Sequence, residues 1–193
     1  MEMIIHENGY WIGNDLIQHK YDHILAPILL EFIKESGCET AYDIGCGDGS
    51  YTKLLNNGGI PCIGYDGNPE TQNIAGYGCG VLDFSQPVEL WSRDLVLCLE
   101  MGEHVPEKYE DVLIANLTSC ADKMIILSWA VKGQRGLGHV NCRNNEYIIN
   151  KFTERGFAYY GASSDYLRSR TYCSWFRNTI MVFIKNDYDK SNN

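Results

Sequence analysis

The sequence predicts one α/β domain with a mostly parallel, doubly wound sheet of seven strands and helices on both faces. Two observations support this fold class. The 193 residues, 45% hydrophobic and 21% charged, have the length and composition of a single globular domain. Short apolar runs alternate with segments of helical periodicity along the chain, and this alternation is typical of parallel strands connected by helices.

Seven apolar runs are predicted to be strands, and they cover 40–44, 61–65, 80–82, 94–99, 123–130, 157–161 and 179–185. Helices are predicted over 21–34, 50–55, 107–120 and 145–155, from apolar residues at helical spacing and from the breakers that follow them. Pro27 lies inside the first helix, so it marks either the true start of that helix or a kink. We therefore expect an N-terminal helical segment over 1–37, an α/β core over 38–186 and a frayed polar tail over 187–193.

Charge is distributed unevenly along the chain. The formal net charge is −9, from 16 basic and 25 acidic residues. Residues 1–92 carry three bases against 13 acids, whereas 132–177 carry eight bases against three acids. A protein that neutralises nucleic-acid phosphates normally has the opposite net sign, so the balance argues against a long nucleic acid as partner. The basic late segment is compatible with a small anionic partner or with scattered surface charge.

Cysteine usage and the absence of sorting signals favour a reducing, cytoplasmic setting. The eight cysteines contain no C-x-x-C pair, so neither a zinc knuckle nor a thioredoxin-type motif is predicted. The N-terminus has no basic region followed by an apolar one, and no apolar run reaches the ~20 residues that span a bilayer. We expect a cytoplasmic protein without a membrane segment.

A glycine-rich loop follows the first predicted strand, in the sequence DIGCGDGS over 43–50. Gly45 and Gly47 allow the backbone to turn tightly and a ligand to approach the main chain. The third glycine of the dinucleotide fingerprint is replaced by Ser50, and the loop has no lysine of the kind that binds phosphates in P-loop proteins. By itself the loop is equally compatible with an ordinary strand–helix turn.

Two further acids end the next two predicted strands. Asp66 lies 19 residues after Gly47, about where the ribose-binding carboxylate of a strand–helix–strand unit lies. Asp83 ends the third strand beside Phe84, and a carboxylate next to an aromatic ring can accept a hydrogen bond from the amino group of adenine. Each acid alone is more often a turn residue, but the three strand ends together predict a nucleoside-binding site.

With these motifs the chain resembles the class I S-adenosylmethionine-dependent methyltransferases from residue 40 to about residue 185. The resemblance implies a Rossmann-like sheet whose last strand, 179–185, is antiparallel, and it implies S-adenosylmethionine as cofactor. It also implies the residues that bind this cofactor, which in this sequence are Asp43, Gly45, Cys46, Gly47, Asp66, Gly67, Asp83, Phe84, Leu99 and Glu100. Because the cofactor is a sulfonium zwitterion and not a polyanion, an acidic first half is compatible with binding it.

The fourth predicted strand is followed by Glu100, Glu103 and His104, in the spacing E-x-x-E-H. Two carboxylates and an imidazole within one turn can bind a divalent cation. Similar runs occur in the metal-dependent small-RNA 2′-O-methyltransferases and in the quinone-biosynthesis O-methyltransferases, and in the first group a downstream histidine is a further ligand. His139 is the candidate here, with Mg²⁺ or Mn²⁺ as the implied metal. Without a metal, His104 or His139 would act as general base, so the candidate catalytic residues are Glu103, His104 and His139.

The methyl acceptor is predicted to be a hydroxyl group on a small molecule or a sugar. A hydroxyl needs a base or a metal to lower its pKa, and the chain offers both. The Asp/Asn-Pro-Pro-Tyr motif usual for nitrogen acceptors is absent after the fourth strand. The glycine-rich loop 131–145 is predicted to be a mobile or tightly turned lid that reads the substrate. Arginines that suit an anionic group on the acceptor lie in this loop and in the next insert, at 135, 143, 168, 170 and 177.

Three other functions stay open at this point. An RNA 2′-hydroxyl is the second candidate acceptor, although the net charge argues against it. A cofactor-binding subunit without activity, which activates a partner, is less favoured because the acids and bases are intact. A nicotinamide-dependent dehydrogenase shares the architecture, but Ser50 in place of the third glycine argues against it.

Overall fold

The computed structural model describes residues 4–13 and 20–187. A short hairpin of β1 (Ile4–Ile5) and β2 (Trp11–Ile12) precedes the main sheet. The main sheet contains seven strands, which are β3 (Ala41–Ile44), β4 (Cys62–Asp66), β5 (Cys79–Val81), β6 (Arg93–Cys98), β7 (Ala121–Leu127), β8 (Phe157–Tyr159) and β9 (Met181–Lys185). All seven predicted strands are therefore present, with ends that differ by a few residues.

The strands of the main sheet lie in the order β5-β4-β3-β6-β7-β9-β8. The first five are parallel to one another, and β9 runs antiparallel to both β7 and β8. The direction of chain progression reverses between β3 and β6, and at such a switch point a crevice forms beyond the carboxyl ends of the strands. The predicted mostly parallel, doubly wound sheet with an antiparallel last strand is confirmed.

Helices cover both faces of this sheet. Those in the described part of the chain are α1 (Leu25–Glu35), α2 (Ser50–Asn57), α3 (Thr71–Ala75), α4 (Glu110–Ser119), α5 (Asn145–Thr153), α6 (Gly161–Arg168) and α7 (Phe176–Thr179). Successive strand residues point to opposite faces. Tyr42 and Val96 pack with α4 and α5 in one core, whereas Ala41 and Leu95 pack with α1, α2 and α6 in the other. The sheet is thus buried on both sides, which explains why its central strands are continuous apolar runs.

Helix α1 begins at Leu25 and not at residue 21, and the side chain of Asp22 holds the turn that precedes it. The Oδ1 atom of Asp22 accepts hydrogen bonds from the backbone N–H groups of Ile24 (3.0 Å) and Leu25 (2.9 Å). Pro27 then lies in the first turn, where a backbone N–H has no partner within the helix, so its absence costs nothing. Pro27 therefore marks the start of the helix.

The prediction of a helical segment over 1–37 is wrong for residues 4–13, which contain the β1–β2 hairpin. Strands of two residues are too short to leave a periodicity in the sequence. Helices α3, α6 and α7 are likewise absent from the prediction. The division at residues 38 and 186 stays a prediction, and residues 188–193 of the predicted tail lie outside the described residues.

The structure also bears on two sequence observations, the lack of a long apolar run and the state of the eight cysteines. No helix among the described residues is long and apolar enough to cross a bilayer. All eight cysteines are free thiols, and seven of them are buried, so they contribute to packing as small apolar side chains.

Candidate active site

A cavity of about 750 Å³ opens at the carboxyl ends of β3, β4 and β6, at the switch point of the sheet. Its size lies within the roughly 300–1,000 Å³ of small-molecule sites. The predicted site residues that line it are Asp43, Gly45, Cys46, Gly47, Asp66, Gly67, Asp83, Phe84, Leu99, Glu100, His104 and His139. Glu103 is the exception, because its side chain is fully buried beneath this surface.

The glycine loop is tied to β4. The backbone N–H groups of Gly45 and Cys46 both donate to the carbonyl oxygen of Tyr65, at 2.8 and 3.0 Å. Gly45 and Gly47 have positive φ angles of 75° and 53°, a conformation that residues with side chains rarely adopt. The N–H of Gly47 donates to Oδ2 of Asp66 at 3.1 Å. The glycines therefore place main chain along the cavity wall next to the acid that ends β4.

The acids at the ends of β4 and β5 are held in fixed orientations. Asp66 accepts a second hydrogen bond, through Oδ1, from the N–H of Asn68 at 2.9 Å. Asp83 accepts from the N–H of Ser85 at 2.9 Å and from Nδ2 of Asn8, in the N-terminal hairpin, at 2.7 Å. Because each carboxylate oxygen can accept more than one hydrogen bond, both acids can still accept from a ligand's hydroxyl or amino groups.

Asp43 is a buried acid within β3 at the floor of the cavity. Its Oδ2 accepts a hydrogen bond from Oγ1 of Thr52 at 2.7 Å. Burial disfavours the charged form more than this bond favours it, so the pKa of Asp43 is raised to about 7. Asp43 therefore carries less than a full negative charge near neutral pH.

Glu100, two residues after the end of β6, has a strained backbone. Its φ of 53° is positive, which is unusual for a residue with a side chain and is often found at functional sites. Its N–H donates to Oγ of Ser128 at 2.7 Å, and Nε2 of Gln134 donates to its Oε2 at 3.4 Å. Burial raises the pKa of the Glu100 carboxyl. The partners Ser128 and Gln134 are not predicted from the sequence, because no local motif marks them.

Glu103, His104 and His139 form a cluster whose donor atoms lie within 4.8 Å of one another. The side chain of Glu103 is 0% exposed, and its Oε1 lies 4.0 Å from Nε2 of His139, which is 11% exposed. Burial raises the pKa of Glu103 well above its ordinary value, and the neighbouring Glu100 carboxyl adds to this. Burial also lowers the pKa of His139. The structure thus brings together three of the four predicted metal ligands, with Glu100 outside the group.

The segment that carries His139 is fixed to the Glu103 turn. The N–H groups of Val140 and Asn141 both donate to the carbonyl oxygen of Glu103 at 2.9 Å, and Nε1 of the buried Trp129 donates to the carbonyl oxygen of Asn141 at 2.7 Å. These three bonds make this part of the predicted lid a tightly turned loop that holds His139 against Glu103.

Most of the arginines that were candidates for binding the acceptor do not line the cavity, and they interact with other parts of the protein instead. Arg143 pairs with Glu107 at 2.7 Å and Glu110 at 2.8 Å. Arg168 donates to the carbonyl oxygen of Ile180 at 2.7 Å, so it joins the α6 helix to the chain before β9. Among the arginines of the described chain, Arg135 is the one that lines the cavity. The basic late segment as a whole therefore does not face the cavity.

No protein-family model and no curated protein sequence matches the chain. Solved structures match it over most of its length. The magnesium protoporphyrin IX methyltransferase of Synechocystis, solved with S-adenosylmethionine bound, is 19% identical with a TM-score of 0.64, over 89% of this chain and 88% of that one. The sugar N-methyltransferase KedS8 of Streptoalloteichus is 12% identical with a TM-score of 0.69, over 87% and 89%. The methyltransferase domain of bacterial CtHen1-C is 15% identical with a TM-score of 0.62, over 84% and 97%.

At these identities the similarity concerns the fold. The chain has the class I methyltransferase fold, as its motifs predict. The glycine loop and the two acids that carry the resemblance lie around one cavity of that fold.

Proposed function

We propose that the protein is an S-adenosylmethionine-dependent methyltransferase. The observation that carries this proposal is the convergence of the glycine loop, Asp66 and Asp83 on one cavity of a class I methyltransferase fold. In this proposal the main chain at Gly45 and Gly47 holds the methionine part, Asp66 accepts from the ribose hydroxyls and Asp83 accepts from the adenine amino group. The similar structure from Synechocystis, with S-adenosylmethionine bound, supports this choice of cofactor.

The charge around the cavity supports a zwitterionic ligand over a polyphosphate. Two cationic residues, Lys20 and Arg135, lie among the described lining residues. Three acids, Asp48, Asp66 and Asp83, outnumber them even when Asp43 and Glu100, whose pKa values burial raises, are left out of the count. A polyphosphate would meet repulsion here, whereas a sulfonium is attracted by nearby carboxylates.

The acceptor in this proposal is a hydroxyl on a small molecule or sugar. The cavity wall beyond the glycine loop contains Tyr21, Tyr51 and Trp175, and aromatic faces of this kind pack against sugar rings and other flat groups. Structures similar to this chain include a sugar N-methyltransferase and an amino pentose methyltransferase. These observations support a sugar as the acceptor, and amino sugars should be tested as acceptors together with sugars.

The cluster of Glu103, His104 and His139 has the donor set of a divalent-cation site. In the described part of the chain neither carboxylate oxygen of Glu103 accepts a hydrogen bond of ordinary geometry. Nδ1 of His139 lies 3.3 Å from the carbonyl oxygen of Gln134. A carbonyl can only accept, so Nδ1 carries the proton and Nε2 keeps its lone pair, as in most metal-ligating histidines. A bound Mg²⁺ or Mn²⁺ would lower the pKa of an acceptor hydroxyl.

His139 can also act as the base without a metal. Because its pKa lies below the ordinary 6.5, the imidazole is neutral near pH 7 and Nε2 can take the hydroxyl proton. Bound S-adenosylmethionine would supply the methyl group to the acceptor oxygen and leave as S-adenosylhomocysteine, and Nε2 of His139 would receive the proton that the hydroxyl releases. The rigid turn around His139 would supply part of the rate by fixing the position of the base.

Thermal unfolding with and without MnCl₂ tests the proposal that Glu103, His104 and His139 bind a divalent cation. Wild type and Glu146→Gln, an exposed acid of α5, should both gain thermal stability from the ion, whereas Glu103→Gln should not. Methyl transfer should be lost in EDTA and restored by Mn²⁺ or Mg²⁺. Full transfer in EDTA together with an unchanged melting temperature would contradict this proposal and leave His139 as the base.

A methyl-transfer screen with radiolabelled cofactor tests the acceptor class. We expect transfer to members of a panel of sugars, phenols and nucleosides, and loss of that transfer in His139→Ala. Transfer to RNA ends alone would favour the RNA 2′-hydroxyl alternative. Cofactor binding without transfer to any acceptor would favour the non-catalytic subunit.

A further inference from the structure

We infer that the N-terminal hairpin completes the adenine side of the cofactor site, with the ring of Tyr10 taking the place of a side chain that residue 67 lacks. The inference rests on the proposed function. Gly67 directly follows the ribose acid Asp66 and lines the cavity. A Cβ atom added to Gly67 would lie 2.6 Å from Cγ and Cδ1 of Tyr10. Residue 67 therefore has no room for a side chain, because the Tyr10 ring already fills the position.

The backbone does not explain the glycine at 67. Gly67 is not among the glycines with a positive φ, so a residue with a side chain could adopt its conformation. The close approach of Tyr10 is what requires glycine here. The hairpin and the loop after β4 thus form one wall, in which a tyrosine distant in sequence stands beside Asp66.

The hairpin is anchored on both sides of this wall. Nδ2 of Asn8 donates to Asp83 at 2.7 Å, and Nδ2 of Asn68 donates to the carbonyl oxygen of Gly13 at 2.8 Å. The His6 ring stacks on Tyr10 with centroids 4.3 Å apart and 10° between the planes. These contacts hold Tyr10 between the ends of β4 and β5 and make it a fixed part of the site.

The residues around Tyr10 have the chemistry that an adenine ring needs. Asn8, Tyr10, Asp66, Asp83 and Phe84 all line the cavity. Aromatic side chains supply apolar surface for a flat base. Asn8 donates through its nitrogen, so its carbonyl oxygen can accept from an exocyclic amino group, as can Asp83. Tyr10 is thus a binding residue, and Asn8 positions Asp83.

Calorimetric titration with S-adenosylhomocysteine tests the inference. Tyr10→Phe should bind within about twofold of wild type, whereas Tyr10→Ala should bind roughly 5- to 150-fold more weakly, the range of losing one base–aromatic contact. Adenosine should lose affinity by a similar factor, because the lost contact is to the base. The double variant Tyr10→Ala/Gly67→Ile should recover affinity, since the aliphatic side chain occupies the vacated space.

The outcomes separate this inference from the proposed function. If wild type binds neither ligand, the proposed function fails. If wild type binds and Asp66→Ala loses binding, while Tyr10→Ala keeps wild-type affinity, only the hairpin inference is overturned. Should Tyr10→Ala fail to fold, Gly67→Ala provides a second test. Its new Cβ displaces the ring, so weaker binding supports the inference and unchanged binding overturns it.

Discussion

The titration of Asp43 makes the stability of the protein depend on pH. The substitution Asp43→Asn measures this contribution separately from those of the other titratable groups. Burial raises the pKa of this carboxyl from 3.8 to about 7 in the folded protein. The folded state therefore holds a proton that the unfolded chain releases above its own pKa, so stability falls as the pH rises through this window. Asp43→Asn removes the titration, and the amide oxygen can still accept the hydrogen bond from Thr52.

The size of the expected change in stability follows from the difference between the folded and unfolded pKa values of Asp43. Between these two values the free energy of unfolding falls by about 1.4 kcal/mol per pH unit, and it becomes constant above the higher one. Between pH 5 and pH 7 the free energy of unfolding of wild type should fall by about 2 kcal/mol relative to Asp43→Asn. Above pH 7 the difference should become constant.

Urea denaturation of both proteins at pH 5, 6, 7 and 8 measures this difference. Subtracting the two curves removes the contributions of Glu100 and Glu103, which both proteins share. Thr52→Val is a useful companion, because it removes the hydrogen bond that holds the pKa of Asp43 down and should extend the fall to higher pH. A constant difference between wild type and Asp43→Asn from pH 5 to 8 would show that the pKa of Asp43 is not raised by folding.

Two further predictions concern packing around the site. A Cβ on Gly102 would lie 2.2 Å from Cε3 of the buried Trp129, so Gly102→Ala should lower the free energy of unfolding by roughly 1–3 kcal/mol in urea denaturation; an unchanged value would contradict this packing. Asp22→Asn should cost about 1–3 kcal/mol at neutral pH, because Oδ2 accepts from the N–H groups of Tyr172 and Cys173 and an amide nitrogen cannot. Burial alone would raise the pKa of Asp22, but its hydrogen bonds lower it. The Asp22 difference should therefore shrink as the pH falls below 3.8, and a difference that persists there would argue against a charged Asp22.

The residues whose place around the cavity can be predicted from the sequence are those with local signals. Asp66 and Asp83 each follow an apolar run, and parallel strands bring their carboxyl ends to one edge of the sheet. The glycines of the loop have the same kind of signal, because the tight turn between strand and helix places positive φ angles at the alternate positions 45, 47 and 49. The sequence alone therefore predicts that these residues lie at one nucleoside-binding site.

The parts that the sequence does not predict depend on contacts between distant residues. The sequence suggests Arg143 as a residue that binds an anionic group of the acceptor. In the structure Arg143 pairs with Glu110, which lies 33 positions away in the chain. Tyr10 lies in a hairpin too short to leave a pattern, and its contact with Gly67 depends on how the hairpin packs. The one signal in the sequence is Gly67 itself. A glycine directly after the strand-ending Asp66 indicates that another part of the chain packs closely against this position.

Calorimetric titration of the wild-type protein with S-adenosylhomocysteine shows whether this cavity binds the cofactor. We expect saturable binding at one site per chain and a roughly 10- to 100-fold loss of affinity in Asp66→Ala, the size expected for hydrogen bonds to a charged group. Asp122→Ala, at the opposite end of the sheet, should bind like wild type. Absence of binding by wild type, or equal affinity in Asp66→Ala, would contradict the assignment of this cavity as the cofactor site.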